Sequence, residues 1–307
     1  MLEPRSLMIP TTRFSPRFRR ARGNCAKTAH GFFVGVASLL MASLLAIMQS
    51  SSGALAQTTS PANKDPLLIT LGTNIVYAPK FEGSKTNDFS IWPIISWRNQ
   101  SSKEWLDMPT DGLDYAVIET DKFRMGPVGY LRWQRNNPTI KLRGYQRIGM
   151  GKEQIDVSVE AGLFAEYWPV EWLRTRLELR ETVVGANGLL AIAAMDFVWR
   201  PQPALTLSLG PRLTIGDERF MDSYYGITPG QSLVTGLSAY DPGAGIRSVG
   251  VAGLARYKLS EAWTTQAFFE YQHLASTASD SPVISVRGSP DQLLVGAGLS
   301  YTFRAPW

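Results

Sequence analysis

A strict two-residue alternation, sustained for about ten to fourteen residues at a time, constrains this chain more than any other feature. From Ile155, the positions Ile155, Val157, Val159, Ala161, Leu163, Ala165 and Tyr167 are all apolar. Their alternates include Asp156, Ser158, Glu160, Gly162 and Glu166. Leu189 to Trp199, Leu205 to Ile215 and Leu293 to Phe303 repeat the pattern. Such a strand lays one face on a protein core, or one face on lipid around a polar interior. Length separates the two, because globular strands cluster near about 5–6 residues whereas a tilted membrane strand needs about 9–11. The pattern therefore favours a transmembrane β-barrel over a soluble β-sandwich.

Connections and tryptophans point the same way. Turns at 168–171, 200–203 and 258–261 are tight, whereas 135–152, 217–246 and 274–290 are long, as in outer-membrane barrels with short periplasmic turns. Seven of the nine Trp (Trp97, Trp105, Trp168, Trp172, Trp199, Trp263 and Trp307) fall beside the tight connections. An interfacial aromatic girdle would place them there, since indole prefers the headgroup level. Eleven segments read as strands: 66–78, 88–98, 111–119, 122–134, 153–168, 171–184, 188–200, 203–216, 247–258, 262–273 and 291–303. Both ends should lie in the periplasm, so the count must be even. The short piece 103–108 is the expected twelfth strand, with ten strands the alternative. The fold class is all-β, an antiparallel barrel over 66–307.

Residues 1–56 read as an address. Seven basic side chains precede Phe32–Met48, 17 residues without a charge, and Ala54-Leu55-Ala56 fits a small-x-small cleavage site. That is the layout of a secretory signal peptide cleaved near Ala56, followed by a flexible lead-in over 57–65; an uncleaved anchor is the alternative. The whole chain carries 31 Lys+Arg against 26 Asp+Glu, a formal +5. Residues 57–307 carry 24 basic and 25 acidic side chains, no Cys and one His, His273. Disulfides and Cys/His zinc sites are thereby excluded from the mature part, as is most of the electrostatic case for nucleic acid; neither a nucleic-acid partner nor a cofactor is expected.

The polar faces of the hairpin around Pro169 carry the candidate lumen charges Asp156, Glu160, Glu166, Arg174, Arg176, Glu178 and Arg180. With facing positions summing to about 340, Glu166 would meet Arg174, Glu160 would meet Arg180, and Gly162 would meet Glu178. The ladder has two readings, a charged constriction in a channel or a polar plug filling a narrow lumen. Phe220, Tyr224, Tyr225 and Tyr240 in the longest loop are candidates for an external surface, or for a small core that packs the loop on itself. His273, with Ser276 and Glu270 nearby, is the sole base for a lipid hydrolase; a rim histidine is the plainer reading, and no catalytic residue is assigned.

The stretch Arg219-Phe220-Met221-Asp222-Ser223-Tyr224-Tyr225-Gly226-Ile227-Thr228, with Ser232, Gly236-Leu237 and Ala239-Tyr240-Asp241-Pro242-Gly243, resembles the MipA/OmpV family of outer-membrane proteins. Tyr77-Ala78-Pro79-Lys80-Phe81-Glu82-Gly83-Ser84 and Asp280-Ser281-Pro282 match as well, and the resemblance covers 66–303. Family members commonly finish at the aromatic matched by Phe303, whereas here Arg304-Ala305-Pro306-Trp307 follows, with Trp307 in the same outward parity. The resemblance implies a non-enzymatic scaffold linking a lytic transglycosylase to a penicillin-binding murein synthase. It also implies outer-membrane lipid and the barrel-assembly machinery as partners. A small porin-like channel is the alternative, since other members are discussed as porin-like.

Overall fold

The computed structural model describes residues 65–132, 158–185 and 187–305. The expected signal peptide, the lead-in up to residue 64, the loop 135–152, Asp156 and Trp307 lie outside the described residues. The alternating segments become β1 (Leu67–Pro79), β2 (Asn87–Asn99), β3 (Leu113–Asp114), β4 (Ile118–Glu119), β5 (Phe123–Arg132) and β6 (Ser158–Val170). They continue as β7 (Leu173–Val184), β8 (Leu189–Gln202), β9 (Leu205–Gly216), β10 (Gly245–Lys258), β11 (Trp263–Leu274) and β12 (Asp291–Ala305). All belong to one antiparallel sheet in the order β2-β1-β12-β11-β10-β9-β8-β7-β6-β5-β3, with β4 also on β5.

The sheet curls so that one parity faces inward. On β6 the even positions Ser158, Glu160, Phe164, Glu166 and Trp168 are buried, while the odd Leu163 and Tyr167 are exposed. Leu71, Ile75, Leu177, Leu209, Leu293, Leu299 and Phe303 extend this apolar outer belt around the sheet. In lipid, backbone groups must be satisfied internally, and the antiparallel ladders do this between paired strands without helices. Among the described residues no helix is long and apolar enough to cross a membrane.

The strand count is twelve, but its composition differs from the expectation. β3 and β4 are two pieces of one wall position. Between them Tyr115 and Val117 still donate N–H bonds to the Pro127 and Met125 carbonyls of β5. Residues 103–108 are not a strand. Asn99 ends β2 at the rim, opposite Leu67, whereas Leu113 lies opposite Gly129, midway along β5. The intervening chain climbs inside the barrel. Its buried residues Trp105, Leu106 and Met108 do not alternate, so they cannot serve one face of a strand. They pack instead against the inward Val76, Trp168, Val198, Leu254 and Phe268.

Two rims result. Leu67 and Ala305 pair at one of them, together with the tight turns after β6, β8 and β10. The opposite rim carries the long loops, including α1 (Glu218–Tyr225), α2 (Pro229–Thr235) and α3 (Pro282–Ser285). Each helix starts on a side-chain cap: Asp217 accepts from Phe220 N–H, Thr228 and Gln231 form a reciprocal capping box, and Ser281 accepts from Val283 N–H. Gly236, at φ 70°, ends α2 in the left-handed conformation that glycine adopts without steric cost.

The tryptophan girdle is smaller than expected. Trp97, Trp172, Trp199 and Trp263 point outward at the tight-turn rim, but Trp105 and Trp168 are buried in the lumen. Both are anchored there by hydrogen bonds from their indole N–H groups, Trp105 to Glu119 at 2.9 Å and Trp168 to Glu166 at 2.7 Å.

Candidate functional site: a charged and closed lumen

Inward-facing charge dominates the interior. Because β6 to β9 carry acids and arginines on their inward parity, curling the sheet brings those side chains together away from water. Glu166 is fully buried and lies within 2.9 Å of Arg174, 3.2 Å of Arg176 and 3.8 Å of Arg124. Arg174, also fully buried, reaches Asp196 at 2.8 Å and Asp111 at 2.5 Å. Arg212 holds the other oxygen of Asp196 at 2.7 Å. Arg176 continues to Asp114 at 2.8 Å and Glu178 at 2.6 Å. Arg180 then bridges Glu178 and Glu160, Arg132 bridges Glu160 and Glu82, and Arg247 closes on Glu82.

The result is a continuous ladder of alternating sign. Among the described residues it joins seven arginines (Arg124, Arg132, Arg174, Arg176, Arg180, Arg212, Arg247) to eight acids, the exposed Asp107 and the more enclosed Glu82, Asp111, Asp114, Glu160, Glu166, Glu178 and Asp196. Buried charges are tolerated only when paired and hydrogen-bonded, and each member of the ladder meets at least one partner of opposite sign. Aromatic faces add to it: the Arg180 guanidinium lies 4.3 Å from the Tyr130 ring centroid and that of Arg176 lies 4.4 Å from Phe164.

The expected residues Glu160, Glu166, Arg174, Arg176, Glu178 and Arg180 all stand in this ladder, in a register shifted by two residues. Facing positions on β6 and β7 sum to 342, so Glu166 opposes Arg176, Gly162 opposes Arg180 and Phe164 opposes Glu178. The cause is the turn, which is centred on Glu171-Trp172 beyond Pro169, with an irregularity between Tyr167 and Val170. Glu166 still meets Arg174, and Glu160 meets Arg180, because long guanidinium side chains span the diagonal.

Other members were hidden for identifiable reasons. Asp196 and Arg212 had the inward parity of their strands as a signal. Asp114 reaches the ladder from β3, whereas Asp111 reaches it only because 100–112 runs through the lumen, which no periodicity announces. At the rim the same segment is tied by Lys258 to Glu104. Burial raises the Glu104 carboxyl, but the Lys258 hydrogen bond and charge outweigh it and hold the group below its ordinary value.

The loop aromatics do not form an external surface. Phe220, Tyr224 and Tyr225 are buried with Leu190, Ile227, Leu237, Leu274, Val283 and Ile284 in a core that caps the long-loop rim, and Tyr240 packs partly buried against it. Phe220 and Tyr224 stack at 4.4 Å. Tyr225 donates to Glu82, linking the cap to the ladder. His273 is half-exposed and its Nδ1 lies 2.8 Å from Asp291, its cross-strand neighbour; among the described residues no serine hydroxyl bonds it.

Between cap and ladder lies a cavity of about 230 Å³. Its walls include Trp92, Arg132, Arg176, Arg180, Arg212 and Glu270.

A family profile described as MltA-interacting protein MipA matches residues 71–303. No curated protein sequence matches the chain. Among solved structures, the NanC porin is similar at 8% identity over 76% of this chain and 98% of that one, with a TM-score of 0.37. An outer membrane channel from Pseudomonas putida F1 is similar at 7% identity over 82% and 100%, with a TM-score of 0.38. OmpT, an outer membrane protein of Vibrio cholerae, is similar at 9% identity over 80% and 100%, with a TM-score of 0.30.

Proposed function

We propose, from the premise that this chain belongs to the MipA family, that it is a non-enzymatic interaction protein of the Gram-negative outer membrane that holds murein-remodelling enzymes at its periplasmic rim. The partner class follows the family's description, interaction with MltA, a lytic transglycosylase. The observation that carries the reading is the filled lumen: a salt-bridge ladder crosses it, and 100–112 stands in its tight-turn end. A barrel closed in this way offers its rim, not its bore. The tight-turn rim, where both ends of the sheet lie, is the periplasmic one in this reading. Segment 100–112 supplies there the contact surface that tight turns lack, with Gln100, Ser101, Lys103, Glu104 and Asp107 exposed.

The test is capture from membrane extract. Immobilised, folded barrel should retain a lytic transglycosylase of the MltA class, and Lys103→Glu with Asp107→Lys should release it. A folded barrel that retains none refutes the reading. Planar-bilayer recordings on the same preparation should show no steady conductance; a stable open level would move the assignment to a small porin-like channel.

A further inference from the structure

The cavity above the ladder has two unmet demands of opposite sign. Among the described residues two of its buried nitrogens, Arg176 Nη2 and the Trp92 indole Nε1, have no hydrogen-bond acceptor, and two more, Arg180 Nε and Nη1, have only long ionic contacts. The arginine side chains are deeply enclosed, and Arg180 sits 3.3 Å and 3.5 Å from its two carboxylates, too long to spend its donors well. Glu270 also lines this cavity and is 9% exposed. It accepts from the Gln272 side-chain amide, yet no Lys, Arg or His nitrogen among the described residues lies within ionic distance of it. The other buried carboxylates, Glu160, Glu166, Glu178 and Asp196, each touch at least one arginine. An enclosed carboxylate without a cation is costly, and so are enclosed guanidinium donors without an acceptor.

We propose that this cavity binds a small zwitterion of the α-amino-acid or dipeptide class. The ligand carboxylate would take the free donors of Arg176 and Trp92 and share Arg180 with Glu178 and Glu160, and its ammonium group would neutralise Glu270 beside Gln272. An anion alone would leave Glu270 unpaired, and a cation alone would leave the donors unspent. Both charges on one molecule, a few bonds apart, satisfy both walls. Size agrees: about 230 Å³ lies below the range of drug-sized pockets. The inference stands independently of any enzyme docked at the rim.

Isothermal titration of the full folded barrel in detergent micelles tests it, with alanyl-alanine, alanine, propionate and propylamine as probes. Alanyl-alanine or alanine should bind, and at least about tenfold more tightly than either single-charge probe. Glu270→Gln keeps shape and the Gln272 contact while removing the charge, and should weaken zwitterion binding by at least about tenfold. Trp92→Phe, at the sheet edge and outside the ladder, should weaken it several-fold. Retained heat-modifiable migration in electrophoresis shows that each variant is folded. Equal binding of propionate or propylamine, unchanged affinity in folded Glu270→Gln, or no binding of any probe would each overturn the proposal. The last outcome would leave the cavity to water.

Discussion

Arg174→Met removes the guanidinium with the most central position in the ladder while retaining an unbranched side chain. Arg174 has no solvent exposure and touches three carboxylates, Asp111, Glu166 and Asp196, at 2.5–2.9 Å. Removing one partner of a buried ion pair costs about 3–5 kcal/mol, because the opposite charge is left uncompensated. Here each stranded acid retains another cation: Asp196 keeps Arg212 at 2.7 Å, Glu166 keeps Arg176 at 3.2 Å, and Asp111 keeps Arg176 at 3.8 Å. That places the expected loss at the lower end, about 3 kcal/mol. In urea titrations of the barrel in micelles, with m near 1–3 kcal/mol/M, the midpoint should fall by about 1–3 M. The internal control is Arg219→Ala, whose guanidinium is 59% exposed beside Glu181 and Asp217, and which should cost about 0–1 kcal/mol. Equal midpoints for Arg174→Met and wild type would refute the claim that the ladder is a stabilising, desolvated network.

Asp111→Asn with Asp114→Asn cuts the ties that hold 100–112 and the adjoining β3 to Arg174 and Arg176, so single-channel recordings should show transient openings that the wild type lacks. Gly210→Val on β9 should abolish folding, read by loss of heat-modifiable migration, because a Cβ there would meet the Met195 carbonyl of β8. Brominated lipids should quench a variant retaining only Trp199 of the nine Trp, and leave one retaining only Trp168 bright, since the first faces out and the second is buried.

Alternation made the wall legible, because a period of two dictates which residues face lipid whatever the partners are. It also placed Glu160, Glu166, Arg174, Arg176, Glu178 and Arg180 on the inner face before any register was known. It did not fix the register, which depends on where the turn after Trp168 closes, and a two-residue shift preserves parity. Nor did it find the path of 103–108. Trp105, Leu106 and Met108 are apolar without a period, and such a segment is decided by the cavity waiting for it and not by its own propensity. The loop aromatics illustrate the same limit: composition shows that Phe220, Tyr224 and Tyr225 matter, but only the cap shows that they face inward.

The hydrogen-bonded order begins at β2 and ends at β3, and among the described residues no ladder joins those two edges. Pro93, halfway along β2, lacks the N–H that such a joint would use. Tie rods such as Arg132–Glu82, which span from β5 to the loop after β1, also hold the curl of the wall. In a barrel sealed by its own backbone, the bore is free to widen or change its charge without loss of closure. Here the rods that obstruct the bore also keep the wall rolled, so emptying the lumen and keeping the barrel shut are competing demands on the same side chains.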